Sequence, residues 1–495
     1  MAELDFKKLG LKCGLEIHQQ LDTQHKLFCS CRPQLSKHKP VMTVTRKIRA
    51  VAGELGEVDI AAVHEALKDV EFHYQAYPEE TCLVELDEEP PHDLNAEALE
   101  VGLKIAILLN CEIPDELHVM RKTVVDGSNT TGFQRTVVAG MNGYVETLSG
   151  KVGISSVALE EESCQIISKG RHTVTYGLDR LGIPLIEIGT HPDITTPEQA
   201  REVAEKLGMI LRSTGKARRG IGTIRQDLNV SIKGGARVEI KGFQELKLIP
   251  RTIENEMARQ SGLISKGQKV AGEVRKAEGD GSTSFLRPLP GSARLYPETD
   301  IPPIPLDPAY VKSLGESLPE AWEEKIGRYQ KDYGLNKDIA TQLVKTNMAE
   351  TFDGLLKTRA DPGLIAATLT SGLTQIRREG APVERLGKRH FQDAFAMLAD
   401  GRIAREALLP LLKELAENPG GKPDSIIRKM GIESLSVDGL RILVKKIIEE
   451  NRALLERPNP EKALMGLVMK EARGRVNGET VMKVLKEEIE KHGKN

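Results

Sequence analysis

Long hydrophobic runs are missing from this sequence. The longest, such as IAILL at residues 105–109, fall far short of the roughly 20 apolar residues that a membrane helix needs. The opening MAELDFKKLG lacks a positively charged start running into an apolar stretch, so neither an export signal nor a membrane segment is expected. Cysteine is scarce: Cys13, Cys29, Cys31, Cys82, Cys111 and Cys164, all in the first third of a 495-residue chain, are too few for a disulfide scaffold. A reducing, cytoplasmic setting is expected. An excess of either charge is also absent, since 70 Lys and Arg against 72 Asp and Glu leave a formal charge of −2. That balance excludes a polybasic nucleic-acid coat and an acidic disordered chain, and it confines any nucleic-acid contact to a local patch. Neither GxxxxGK[ST] nor a GxGxxG opening a βαβ unit occurs, which removes P-loop and dinucleotide-binding folds from consideration.

What is present exceeds one core, because single cores rarely grow beyond about 250–300 residues. The first 300 residues alternate short strand-like runs with turns. Residues 136–167 read as successive hairpins, with Asn142-Gly143 and Ser149-Gly150 as turns. Residues 93–111 and 196–215 instead place apolar side chains at helical spacing, the second with Pro197 near its start and Gly215 at its stop. Hairpins interleaved with helices predict an α+β domain, its helices covering one face of a largely antiparallel sheet. A seam follows: residues 265–292 are rich in Gly, Ser and charge, and residues 297–308 are dense in proline, so the chain is expected to turn across a surface there. From about residue 309 the pattern is helical almost throughout. The boundaries read 1–308 for the α+β part, 309–400 for a helical domain and 401–495 for a helical tail, whose 19 Lys and Arg against 15 Asp and Glu have the sign that phosphate binding favours.

Several polar constellations interrupt the strand patterns. CGLEIHQQL, residues 13–21, puts Glu16 and His18 on one strand face, with Leu15, Ile17 and Gln19 on the other. A carboxylate and an imidazole so placed suit a cation or a transferred phosphate, and equally a buried Glu–His hydrogen bond. ALEEESC, residues 158–164, holds Glu160, Glu161 and Glu162, adjacent carboxylates that repel unless a cation intervenes. Magnesium, with its preference for oxygen ligands, fits them; so does a solvated acidic surface. Residues 212–251 contain 10 Lys and Arg and three acids. There, IRQDLNVSI aligns Asp227, Asn229 and Ser231 on one face, and RVEIKGF aligns Glu239 and Lys241 beyond a Gly234-Gly235 turn. With Arg225 and Arg237, this hairpin mixes cation-binding carboxylates with phosphate-neutralising arginines, as a magnesium-nucleotide site would. GKARRGIGT, residues 215–223, adds a glycine-interleaved basic segment. Cys29 and Cys31 form a CxC, but zinc needs four ligands and no second clean pair is visible in the sequence.

The motifs GLEIHQQL, KLFCSC, LEEES, GIPLIEIGTHPDI, IRQDLNVSI and VEIKGFQEL, in this order, resemble the GatB/GatE family of tRNA-dependent amidotransferase subunits; DGSNTTGFQRT and GSARLYPETDIPPI resemble its archaeal E branch. The resemblance implies a glutamine-synthetase-like antiparallel-sheet cradle, followed by a helical bundle and a small helical tail that binds tRNA. It implies ATP and Mg²⁺ as cofactors, glutamyl-tRNA(Gln) as substrate, and an asparaginase-like D subunit that supplies ammonia within a heterotetramer of two D and two E subunits. Glu16, His18, Glu160 or Glu161, Asp227 and Glu239 match the family's acidic and metal-binding positions, and Arg225, Arg237 and Lys241 are placed to assist phosphoryl transfer. Asn229 and Ser231 accompany them on the nucleotide side. Two departures accompany the likeness: no further cysteine follows Cys31 at zinc spacing, and residues 272–290 occupy the place where the E branch usually inserts a domain similar to part of aspartyl-tRNA synthetase. Three rivals stand beside this reading. They are a non-catalytic tRNA-binding scaffold, a B subunit of the bacterial type, and a ligase acting on free glutamate.

Overall fold

A computed structural model describes residues 5–47, 69–124, 126–243, 245–289, 295–346, 348–455, 459–472, 475–476 and 478–492. Parts of two motifs fall outside them: Gln244 of VEIKGFQEL and residues 291–294 of GSARLYPETDIPPI. The chain forms two compact units, residues 1–320 and 321–495.

The first unit is built on a ten-stranded sheet in the order Thr283–Pro288, Glu273–Ala277, Val238–Phe243, Ile224–Ser231, Lys12–Gln20, Pro184–Thr190, Gly150–Glu161, Phe133–Thr147, Val119–Thr123 and Leu295–Pro297. All neighbours are antiparallel except Val238–Phe243 with Glu273–Ala277. The two edge strands are consecutive in the chain, and seven Cα steps from Pro288 to Leu295 reach at most about 27 Å. Ten strands laid flat would hold those edges roughly 43 Å apart at the usual spacing. The sheet therefore curls strongly, giving it an inner and an outer face.

One face is apolar. Leu15, Ile17, Ile186, Ile188, Val157, Leu159, Val137, Leu228 and Ile240 are buried in one continuous core with the helices Ala96–Leu108 and Pro197–Ser213. Asn95 caps the first helix through the Ala98 amide, and Thr196 caps the second through the Gln199 amide, with Pro197 at its start as the sequence reading expects. A separate four-stranded sheet, Met42–Arg46, Glu71–Ala76, Thr173–Gly177 and Gln165–Lys169, stacks Phe72, Tyr74 and Tyr176. Tyr74 and Tyr176 donate hydrogen bonds to the carbonyls of Gly127 and Asp126, at 2.7 and 2.9 Å, and so pin the start of the DGSNTTG loop.

Two expectations are corrected. Asn142-Gly143 is not a hairpin turn: the strand runs through it from Phe133 to Thr147, and the turn falls at Leu148-Ser149. Gly143 lies so close to the carbonyl of Leu109 that a Cβ would stand 2.4 Å from that oxygen, so the glycine serves close approach of helix end and strand. The seam is likewise not merely a surface crossing, since Glu273–Ala277 and Thr283–Pro288 extend the sheet there. Their outer strand is largely exposed, with Phe285 and Leu286 both more than half accessible, so little alternation betrays it in the sequence.

The second unit is helical and has two hydrophobic cores, one from Ile326 to Ile432 and one from Leu440 to Leu485. The helix Pro308–Glu316 belongs instead with the first unit, where Leu314 enters the sheet's core. No helix among the described residues is long and apolar enough to cross a membrane.

Candidate active site

The opposite face of the same sheet is polar. Because extended backbone sends alternate side chains to opposite sides, residues paired across strands share a face. Pairing sets Glu16 beside Asp227, and His18 between Arg225 and Glu187. Glu160 pairs with Thr136 on the next strand and Lys122 with Gln134 beyond it, so polar side chains from seven adjacent strands, six of them contributing a carboxylate or a cation, line one surface over the buried aliphatic layer.

His18 Nε2 lies 3.1 Å from Glu187 Oε2, 3.5 Å from Glu16 Oε1 and 4.0 Å from Glu160 Oε2. Lys122 Nζ bridges Glu160 at 3.1 Å and Glu187 at 3.0 Å. Thr136 and Gln134 each donate to Glu160, both at 3.0 Å. On the other flank Lys241 pairs with Asp227 at 2.8 Å and with Glu239. Arg225 and Gln20 both reach Glu162, at 2.9 and 3.1 Å.

Crowding Glu16, Glu160 and Glu187 in a water-poor surface shifts their protonation in opposite directions. Burial lifts the Glu160 carboxyl to about 7, with Glu187 adding to the rise and Lys122 and His18 opposing it. Burial and the Glu187 charge raise Glu16 as well. Glu187 goes the other way: burial works against its charge, yet the hydrogen bond from His18 and the charge of Lys122 hold it well below the usual carboxylate range. His18 is raised, because the Glu187 hydrogen bond and the surrounding acids outweigh the burial that disfavours its cation. Lys122 and Lys241 are raised by their carboxylates in spite of burial.

One ligand atom each from Glu16, His18 and Glu187 lie within 4.8 Å of one another, a spacing that admits one cation. Oxygen-rich donors with one imidazole fit a hard divalent ion. Of the residues singled out from sequence, Glu16, His18, Glu160, Asp227, Glu239, Lys241 and Arg225 come together on this face. Glu161 does not: it points to the other side, where Arg135 reaches it at 3.1 Å and also binds Glu298 at 2.8 Å. Arg237 precedes its strand and is exposed, and no ion pair among the described residues joins it to the cluster. Asn229 pairs with Glu239 across the hairpin, and Ser231 lies at the strand end, where its hydroxyl contacts the carbonyl of Lys12 at 3.5 Å. Glu187 and Lys122 were missed. The only signal for Glu187 was a single carboxylate inside the otherwise apolar IPLIEIG, and Lys122 follows Arg121 in VMRKT with nothing to single it out.

A second cluster lies in the same unit. Cys29, Cys31, Cys82 and Glu85 gather their ligand atoms within 4.8 Å. Glu85 accepts from the Cys29 thiol at 2.9 Å, from the Cys82 thiol at 3.1 Å and from the Cys82 amide at 2.9 Å. The CxC thus acquires the partners its sequence neighbourhood lacks, from a C-x-x-E some 50 residues on. The DGSNTTG loop touches this cluster, Thr130 donating to the Glu85 carbonyl at 2.8 Å, and its Asn129 accepts from Ser163 at 3.0 Å.

A curled sheet with an acid-, imidazole- and lysine-lined face, followed by a helical unit, defines a two-part protein with its chemistry in the first part. Residues 11–312 match the GatB/GatE catalytic domain and residues 350–489 match the GatB domain. The chain belongs to the GatB/GatE family. It is 36% identical to the E subunit of glutamyl-tRNA(Gln) amidotransferase from Methanocaldococcus jannaschii over 98% of this chain and 99% of that one. The E subunits of Methanococcus maripaludis and Haloarcula marismortui are 35% and 36% identical, each over 99% of this chain and the full length of the relative. The first of these alignments runs over 627 positions, 132 more than the 495 residues of this chain, so at least that many have no counterpart in it.

Proposed function

We infer that this chain is the catalytic subunit that converts glutamyl-tRNA(Gln) to glutaminyl-tRNA(Gln), using ATP and ammonia delivered by a partner amidase subunit. The observation that carries this is the relationship to the E subunits along the whole chain. A carboxylate-rich face in the matched catalytic domain supports it. The side-chain carboxylate of the attached glutamate attacks the γ-phosphorus of ATP, releasing ADP and leaving an acyl phosphate. Ammonia then adds to that carbonyl carbon, phosphate departs with the C–O bonding pair, and a proton is lost to give the amide.

Glu16, His18 and Glu187 are the residues we assign to a magnesium ion, with Asp227, Glu239 and Glu160 lining the same face. Bound magnesium would supply charge neutralisation to phosphate oxygens. The chain's own groups do the rest. Lys122 and Lys241 offset the negative charge that polyphosphate brings to a face already rich in carboxylates, and Arg225 stands at the rim two residues from Asp227. The curled sheet, which we read as a cradle of the glutamine synthetase type, shields the acyl phosphate from water until ammonia arrives. We assign the tail, residues 401–495, to the tRNA body, and the partner to an asparaginase-like D subunit in a two-plus-two assembly. A structural zinc ion is assigned to Cys29, Cys31, Cys82 and Glu85, which is checked by metal analysis of the purified protein.

The decisive test is amidation of glutamyl-tRNA(Gln) with ATP and ammonium chloride, against free glutamate as control. Glu16→Ala and Asp227→Ala should abolish amide formation and ADP release while leaving tRNA affinity within about twofold; wild-type-like activity in either variant would overturn the assignment of this face.

A further inference from the structure

Lys122 is the cation that ties Glu160 to Glu187, yet it stands on one of the least supported strands of the sheet. Val119–Thr123 is five residues long, and its outer neighbour, Leu295–Pro297, is three residues long and ends the sheet. Few ladder bonds hold such a strand, and sheet margins open more readily than sheet centres.

A second set of contacts holds it, on the face turned away from the chemistry. Arg121, which precedes Lys122, lies opposite Arg135 in the strand pairing, and Arg135 lies beside Glu161 on the following strand. Two guanidiniums opposed across a strand pair repel. Glu298, just beyond Pro297, reaches both and gives one oxygen to each: Oε1 accepts from Arg121, and Oε2 accepts from Arg135 Nε at 2.8 Å. Arg135 Nη1 then donates to Glu161 Oε1 at 3.1 Å, and its amide donates to Glu161 Oε2 at 3.0 Å. Asp300 adds an outer contact to Arg121 at 3.4 Å. The turn that carries Glu298 is itself held, its amide donating to the Val119 carbonyl at 2.9 Å and the Asp300 amide to Glu298 Oε1 at 3.1 Å. Phe133 packs against both guanidiniums, its ring centroid 4.5 Å from the Arg121 Cζ and 5.2 Å from the Arg135 Cζ.

The two faces are matched residue for residue. Glu161 backs Glu160, Arg121 backs Lys122, and Arg135 stands between Gln134 and Thr136, the two residues that donate to Glu160. Glu161, Arg135 and Glu298 are each 5% exposed or less. Burying so many charges gives no more stability than an apolar row of similar volume. An apolar row tolerates sliding, whereas a carboxylate with one oxygen committed to each of two guanidiniums is satisfied at one register only.

We propose that Glu298 is a positioning residue: by locking Arg121 to Arg135 behind the sheet, it sets the register of the strand that carries Lys122 and so aims the Lys122 ammonium at Glu160 and Glu187. The effect on turnover rests on the function inferred above; the clamp on Lys122 does not.

The test uses the full chain with its ammonia-supplying partner. Glu298→Gln keeps the shape and removes the charge. In competitive acetylation with acetic anhydride, read by mass spectrometry, Lys122 should label about fivefold faster than in wild type, while Lys241, held by Asp227 and Glu239 on the far flank, stays within about twofold. With ammonium and saturating magnesium, kcat for glutamyl-tRNA(Gln) should fall about tenfold with KM within about twofold. On a Lys122→Met background the same change should cost less than about twofold more, because a residue that acts through Lys122 has nothing left to position. Asp300→Asn removes only the exposed outer arm and should speed Lys122 labelling by about twofold; it carries the test if Glu298→Gln does not fold. Wild-type labelling of Lys122 in folded Glu298→Gln, or in Asp300→Asn where that variant carries the test, would overturn the proposal. So would equal acceleration at Lys122 and Lys241, or full multiplication of the two losses in the double variant, either of which makes Glu298 a structural residue only. If wild type fails to amidate glutamyl-tRNA(Gln) while Glu298→Gln still unmasks Lys122 alone, the activity reading falls and the clamp stands.

Discussion

Replacing Lys26 with Met probes how the thiol cluster is held in the first unit. Lys26 is 1% exposed, and its ammonium meets three acceptors: Glu85 at 3.0 Å, the Leu178 carbonyl at 3.1 Å and the Glu80 carbonyl. All three N–H donors are thus used. Met keeps the length and most of the volume but removes the charge and the donors. Glu85, 3% exposed, then remains as a buried carboxylate without its cation, and two backbone carbonyls lose a partner. Removing one member of a buried pair costs about 3–5 kcal/mol. The orphaned carbonyls add about 1–3 kcal/mol each at most, since small shifts let them find other donors. Neutralisation works against the full sum: burial already raises the Glu85 carboxyl, with Lys26 opposing, so loss of Lys26 lets it take up a proton instead of staying charged. The expected loss is therefore about 4 kcal/mol, at the middle of the single-pair range. Because the chain has two units, the assay is hydrogen exchange of the amides of Lys26 and Leu27, which bond to Cys31 and Gly182, rather than one global melting curve. A second change, Glu85→Gln, should return about half of the loss by removing the orphaned charge. Exchange within about 1 kcal/mol of wild type in Lys26→Met would refute the reasoning.

Glu187→Gln keeps the shape of the residue that gathers His18 and Lys122 but removes its charge, and should raise the magnesium needed for half-maximal amidation about 10–100-fold, read from a magnesium titration with ammonium as donor. Lys122→Met leaves Glu16, Glu160 and Glu187 facing one another without that cation; its melting temperature should fall, and added magnesium should recover more of it than in wild type. Gly127→Ala should destabilise by at least about 2 kcal/mol in thermal melts, because φ is +76° and the new Cβ would lie 2.5 Å from the Phe72 ring that packs against the DGSNTTG loop. Prolonged chelation should lower the melting temperature of wild type but not of Cys29→Ser/Cys82→Ser, if the thiol cluster carries a structural ion.

The parts of the site that were legible in sequence are those fixed by strand periodicity. Glu16 with His18, Asp227 with Asn229, and Glu239 with Lys241 each sit two apart, so extended backbone alone puts each pair on one face, and Gly234-Gly235 folds the second pair against the third. The parts that were not legible depend on which strands become neighbours. Glu187 joins His18 because Pro184–Thr190 pairs with the opening strand across some 170 residues, and Lys122 arrives from three strands further on. Glu161 shows the same limit from the other side: it follows Glu160 directly, yet the period-two rule sends it to Arg135 and Glu298, away from the residue it adjoins in sequence.

The thiol cluster extends this to a second site. Cys29 and Cys31 lacked ligands only as long as neighbours were sought along the chain; Cys82 and Glu85 reach them because residues 79–88 turn back over the Lys26–Cys31 segment, a path held by Lys26 itself. A face crowded with carboxylates repels polyanions, so a nucleotide reaches it only where cations and bound ions reverse the sign locally. Lys122 and Lys241 lie within the face. Neutralising either should therefore act on the magnesium requirement at unchanged RNA affinity.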